Sequence, residues 1–132
     1  FIFIDSPPSL GLITINALTA ANSVLIPIQA EYYALEGLSD LIDTYNRTRE
    51  NFNPELEIKG ILLTMYDERT NLSKQVEEEI REYFKTKVYK SIIPRNIRLS
   101  EAPSFGQPIQ LYAIKSSGSQ AYMSLAKELL KQ

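Results

Sequence analysis

Four short stretches that read as strands, each ending in a polar or proline-rich loop, constrain the fold of this chain more than any other feature: the fully apolar Phe1–Ile4, then Ser23–Ile28, Ile58–Thr64 and Val88–Ile93. An apolar run without alternation suits a strand covered on both faces, the usual state in a parallel sheet. Between the runs the spacing turns helical. Leu35, Leu38, Leu41, Ile42 and Tyr45 recur at three and four residues and predict an amphipathic helix from about Leu35 to Glu50, stopped at Asn53-Pro54. Leu72, Val76, Ile80 and Phe84 form the stripe of a second helix, with Asn71 as its expected cap. A helix from roughly Leu10 to Ala21 capped by Ser9, a short turn around Leu99–Ala102 and a last helix from near Ser117 complete the pattern. The last helix is expected to turn Ala121, Tyr122, Leu125, Ala126, Leu129 and Leu130 toward the core. Strands alternating with such helices mean βαβ units: an α/β fold with a parallel sheet and helices on both faces. No repeat or linker divides the 132 residues, which fit one domain, 1–132.

In open parallel sheets ligands gather outside the carboxyl ends of the strands. That rule selects four loops: Asp5–Gly11, Gln29–Tyr33, Met65–Asn71 and Pro94–Glu101. Asp5 follows a buried apolar run directly, the pattern of a Walker B carboxylate that holds a nucleotide-bound Mg2+ through water. Taken alone, the same pattern also describes a turn-forming Asp before two prolines. Pro7 and Pro8 stiffen the exit from the run, and Gly11 permits close backbone approach. The chain has no Cys and no His, which excludes a thiol nucleophile, a Ser-His-Asp triad and any Cys/His zinc site. A net charge of −2 gives no global field for nucleic acid, so any such contact has to be local.

Longer blocks make the pattern specific. Asp5-Ser6-Pro7-Pro8-Ser9-Leu10-Gly11, Asn16-Ala17-Leu18-Thr19-Ala20-Ala21 and Ile26-Pro27-Ile28-Gln29-Ala30-Glu31-Tyr32-Tyr33-Ala34-Leu35-Glu36-Gly37 resemble the ParA/Soj family of partitioning ATPases. So do Leu63-Thr64-Met65-Tyr66-Asp67-Glu68-Arg69-Thr70 and the block from Ile93-Pro94-Arg95-Asn96-Ile97-Arg98 to Ser104-Phe105-Gly106-Gln107-Pro108. These blocks span nearly the whole chain in the family's order. The resemblance implies a P-loop NTPase-like fold and a deviant-Walker ATPase that uses ATP and Mg2+, forms a sandwich homodimer, binds DNA without sequence preference and answers to a ParB-type partner. It implies a cytoplasmic, nucleoid-associated protein. It places the Walker B role on Asp5, with Mg2+ held through water, and the second switch on Ser6, Pro7, Pro8 and Gly11. Many family members carry Cys where Ser6 stands. The adenine end of the nucleotide is expected at Met65, Pro94, Arg95 and Asn96, and DNA phosphates at Arg69 and Arg98. Guanidinium forks suit phosphate oxygens. On the residues alone, Arg69 has Asp67 or Glu68 within reach as a plain ion-pair partner, and Arg98 has Glu101.

Hydrolysis in this fold needs a glycine-rich phosphate loop and its lysine. The five glycines here include no G-x-x-x-x-G-K-[ST] frame. The opening Phe1-Ile2-Phe3-Ile4, with no initiator Met, reads as the inside of a buried element. The chain is therefore expected to be the C-terminal part of a single ParA-type ATPase domain, inactive alone and not expected as a fragment to bind ATP and Mg2+. Without a neighbouring strand, Phe1–Ile4 is expected to be an apolar hazard that pairs with another copy or destabilises the piece. A MinD-like membrane-cycling ATPase and a non-enzymatic interaction module are the alternatives; a metabolic enzyme of the amidotransferase or synthetase kind is a further one, though nothing here resembles its substrate-specific residues. Against the first, the last helix carries only Lys127 and Lys131 beside Glu128, too little basic charge for a lipid-binding face.

Overall fold

The computed structural model describes residues 1–7 and 9–131. Its sheet has two parallel strands, β1 (Ser23–Gln29) and β2 (Glu57–Thr64), paired from Ser23 opposite Glu57 to Gln29 opposite Thr64. Around them lie α1 (Leu12–Ala20), α2 (Ala34–Asn51), α3 (Asn71–Phe84), α4 (Ile97–Glu101), α5 (Ile109–Tyr112) and α6 (Ser117–Leu129), with 3-10 turns at Lys85–Lys87 and Ala102–Phe105.

The apolar stretch Ile61–Leu63 of β2 has the expected cause, since it is covered on both faces. Ile61 and Leu63 pack with Ile26 and Ile28 of β1, Leu38 of α2 and Val76 and Ile80 of α3. Leu62, between them, points the other way, against Tyr89, Ile93 and Leu125 of α6. A third cluster, Leu18, Tyr45 and Leu56, ties α1 to α2. There the Tyr45 hydroxyl donates to the Leu56 carbonyl at 2.9 Å, which satisfies the polar tip of an otherwise apolar anchor.

The structure departs from the sequence expectations at identifiable places. Phe1–Ile4 forms no strand, and all four side chains are exposed, Phe1 and Ile2 at 94%. Among the described residues β1 pairs with β2 alone, so no neighbour takes the backbone hydrogen bonds of Phe1–Ile4. An extended segment without a ladder has nothing to repay its ordering. The expected fourth strand, Val88–Ile93, is reduced to bridges, Val88 with Ile61 and Pro94 with Tyr66. Tyr89 and Ile93 donate to the carbonyls of Ile61 and Leu63, both at 2.9 Å, so four residues on one side span two on the other. The looped-out backbone is taken by a carboxylate: Glu128 accepts from the amides of Lys90 at 2.8 Å and Ser91 at 3.0 Å.

The caps shift as well. Gly11 rather than Ser9 precedes α1, and the Ser9 carbonyl instead accepts from Thr14 Oγ1 at 2.6 Å. Thr70, extended at φ −100° and ψ 135°, caps α3 by accepting from the Ser73 amide, which leaves Asn71 as the first helical residue. In and just after α6 Leu125 is buried, while Ala126 is exposed and Tyr122 and Leu130, also expected on the core face, are exposed at 40% and 71%.

Candidate functional site

Three of the four loops selected by the sequence converge at the carboxyl ends of the strands. The register carries Gln29 and Thr64 to the same level, and the Ala30 amide donates to the Thr64 carbonyl at 3.1 Å. Ser73, buried at the start of α3, donates its hydroxyl to the Ala30 carbonyl and so fixes the loop after β1 against the helix after β2. The third loop joins by main-chain contacts: Tyr66 donates to the Ile93 carbonyl at 3.2 Å and Arg95 to the Tyr66 carbonyl at 2.9 Å. An ion pair closes the triangle, Arg95 to Glu31 at 2.8 Å. The sequence offers no particular signal for that pair, which joins opposite charges 64 positions apart.

Met65, the first residue after β2, has φ 52°, in the left-handed region that non-glycine side chains rarely enter. Such a conformation persists only where its surroundings impose it, and it collects at ligand-binding loops. Here the bridges on either side, Gln29 with Thr64 and Tyr66 with Pro94, dictate the turn. Behind it Tyr66 is buried and hydrogen-bonded to Glu77, and this bond together with burial pushes its phenol up to about 12. Burial alone pushes the Glu77 carboxyl up, but hydrogen bonds from Tyr66 and Arg81 outweigh it and hold the acid low.

Pro94 and Arg95 lie in the bridged loop, and Asn96 caps α4. The Asn96 amide is engaged at both ends: Oδ1 accepts from the Arg98 amide at 2.9 Å and Nδ2 donates to Ser117 Oγ at 2.7 Å. Two exposed arginines flank this surface, each with a carboxylate partner of the kind the sequence offered. Arg69 meets Asp67 with Nε and Nη2 at 2.8 and 2.6 Å. Arg98 meets Glu101 with Nη1 at 2.8 Å, and Glu101 also accepts from the Tyr112 hydroxyl at 3.0 Å. These hydrogen bonds, Arg98 first, hold the Glu101 carboxyl below its usual range.

The Asp5 loop is not drawn into this cluster by any described hydrogen bond. Asp5 is exposed, Ser6 half-buried and Pro7 exposed, while Pro8 lies outside the described residues. Among the described residues the segment is tied to the start of α1, through Thr14 and through the Ile15 amide, which donates to the Gly11 carbonyl at 3.1 Å. Asp5 has no ion-pair partner among the described residues. An exposed carboxylate with no competing cation fits the charge and donor type that a hydrated Mg2+ accepts.

A parallel sheet covered by helices on both faces, with its loops gathered at the strands' carboxyl ends, defines the class: an α/β fold of the P-loop NTPase type. A family model described as an AAA domain matches residues 1–58. The chain is 59% identical over all 132 residues to the chromosome partitioning protein ParA of Myxococcus xanthus, of which it covers 47%. It is 60% identical over 129 residues, 98% of the chain, to the sporulation initiation inhibitor protein Soj of Bacillus subtilis, of which it covers 51%. Among solved structures, cobyrinic acid a,c-diamide synthase of Mycobacterium smegmatis, solved with bound ADP and magnesium, superposes with a TM-score of 0.75 at 34% identity, over 96% of this chain and 45% of that one. The likeness to these ParA and Soj proteins runs over nearly the whole of the chain, which spans about half the length of the curated relatives it matches.

Proposed function

We propose that this segment supplies the Walker B, adenine-end and DNA-contacting parts of a ParA/Soj-type partitioning ATPase. The observation that carries the reading is the hydrogen-bonded junction of the Gln29–Tyr33, Met65–Asn71 and Pro94–Glu101 loops, with Arg69 and Arg98 exposed beside it. In this reading Asp5 holds Mg2+ through water, and Ser6, Pro7, Pro8 and Gly11 act as the segment that responds to the nucleotide. Met65, Pro94 and Arg95 border the adenine, and Asn96 holds that border in shape by capping α4. ATP and Mg2+ would supply the charge that gates homodimerisation. The dimer would bind DNA through Arg69 and Arg98 of each copy, and a ParB-type partner would trigger release in the cytoplasm at the nucleoid.

The test is DNA retention by the full-length protein carrying this segment, with ATP present. Four phosphate contacts per dimer imply a slope of log K against log salt of about −3.6. Changing Arg69→Glu and Arg98→Glu together abolishes retention if the reading holds. Retention at the parental level would overturn it. The MinD-like reading gains no support from α6, whose last turn carries Lys127 alone among basic residues.

A further inference from the structure

The Asp67–Arg69 pair is more specific than a surface ion pair needs to be. Asp67 Oδ1 accepts from the Arg69 backbone amide at 3.1 Å and from Nε at 2.8 Å, while Oδ2 accepts from Nη2 at 2.6 Å. The carboxylate is thus clamped to its own loop, and it grips the guanidinium along one edge only. The Asp67 side chain is 19% exposed and that of Arg69 is 86% exposed. The loop beneath is rigid in turn, because both the amide and the hydroxyl of Thr70 donate to the Asp67 carbonyl at 3.1 Å, and Thr70 caps α3. Hydrogen bonding to Arg69 keeps the Asp67 carboxyl far below the usual carboxylate range.

A guanidinium carries five N–H donors in one plane. With Nε and one Nη2 hydrogen taken by Asp67, the Nη1–Nη2 edge keeps a complete two-donor fork. That fork matches two oxygens of one phosphate. Arg98 differs: Glu101 holds it through Nη1 alone, without a backbone anchor, and Glu101 is shared with Tyr112. One arginine is fixed and the other is tethered.

We propose that Asp67 is a positioning residue for nucleic acid, holding Arg69 with its free fork presented to a backbone phosphate. This rests on the DNA-binding reading above. A carboxylate so close to a phosphate is electrostatically unfavourable, so on charge alone its removal should tighten binding. Preorganisation acts with the opposite sign, because a long exposed side chain otherwise has to be ordered when it binds. The sign of the effect therefore decides between the two.

The experiment measures fluorescence anisotropy of a labelled mixed-sequence DNA duplex with the full-length protein and ATP at low salt. Asp67→Ala is expected to weaken binding about three- to tenfold, the range for immobilising one such side chain. Glu68→Ala removes the same charge from the neighbouring position, and it is expected to leave binding unchanged or tighter. In an Arg69→Ala background Asp67→Ala is expected to cause no further loss. Tightening by Asp67→Ala would make the carboxylate a competitor and overturn the proposal. Equal weakening with and without Arg69 would show that Asp67 acts on the loop rather than on the guanidinium, and would overturn it too. If Arg69→Ala and Arg98→Glu each leave affinity untouched, the DNA reading itself fails.

Discussion

The carboxylate of Glu128, on α6, stands where a strand neighbour would stand for Ser91: it accepts from the Ser91 amide at 3.0 Å and from its hydroxyl at 2.8 Å. With the Lys90 amide, three donors converge on one side chain. Burial pushes the Glu128 carboxyl up, but the bonds from Lys90 and Ser91 prevail and hold it low. A carboxylate whose pKa is depressed by folding adds stability that is complete above its unfolded value and fades as pH falls through the folded one. Glu128→Ala is expected to cost about 1–3 kcal/mol at neutral pH, because the amides it serves lose their partner. Glu128→Gln should cost less and flatten the loss of stability between neutral pH and the acid range. Urea denaturation at several pH values checks both, and an acid limb as steep in Glu128→Gln as in the parent would refute the assignment.

Gly60 lies beside an irregularity. Between Val24 and Leu25 the pairing jumps from Ile58 to Gly60, and Lys59 is left over. A Cβ on Gly60 would stand 2.5 Å from Tyr89 Cε2 and 3.0 Å from the Lys87 carbonyl. Tyr89 is 2% exposed and cannot move aside, so Gly60→Ala is expected to destabilise by about 1–3 kcal/mol, as overpacking does. At Gly118 the three atoms nearest an added Cβ all belong to the Leu99 side chain, the first being Cγ at 2.6 Å. Leu99 is half-buried and can rotate, and Ala is the better helix former by about 1 kcal/mol. Gly118→Ala should therefore be the milder change of the two. Thermal melts of both variants test the order, which a larger loss at Gly118 would reverse.

The parts of the fold that the sequence made legible are those whose cause is local. The stripe of α3 delivered Val76 and Ile80 to the core because helical spacing fixes which side chains share a face. The apolar run Ile58–Thr64 became β2, with bounds that differ by one residue. Phe1–Ile4 has the same local signature, yet it is not a strand, because a parallel strand exists only beside a partner and pairing is not a local property. Val88–Ile93 failed for a related reason, since a carboxylate 37 positions away competes for its amides. At the site, three of the four loop positions followed from one topological rule, the Asp5 loop being the exception, and the ion pairs of Arg69 and Arg98 lay within a few residues. The Glu31–Arg95 pair was illegible, because many acids could have met that arginine.

Ser119 gives a prediction of opposite sign. It is 0% exposed, and its Oγ has no hydrogen-bond partner among the described residues. Its amide is satisfied by the cap Ser116 at 3.1 Å, so the hydroxyl contributes nothing there. A buried hydroxyl without a partner carries a desolvation cost of about 1–3 kcal/mol. Alanine removes that cost and has the higher helix propensity. Ser119→Ala is expected to raise stability by about 1 kcal/mol. A calorimetric midpoint lower than the parent's would show that the oxygen has a partner after all.

The open edge of β1 sets the last expectation. The Ala30 amide donates to Thr64, so by alternation the amides of Ile26 and Ile28 face β2 and position 27 faces the free edge. That position is Pro27, which has no N–H, and the edge therefore lacks one donor in its middle. Proline at such a place blunts edge-to-edge pairing. Phe1, Ile2, Phe3 and Ile4 work against it, exposed at 94, 94, 79 and 54%. Contiguous apolar surface of this kind drives association. The 132-residue polypeptide taken alone is thus expected to self-associate. Ile2→Lys with Ile4→Lys should reduce the association, and Pro27→Val, which restores the edge donor, should increase it. Sedimentation velocity across a concentration series reads all three. A monodisperse parent polypeptide that melts cooperatively would mean that neither the apolar segment nor the open edge seeks a partner.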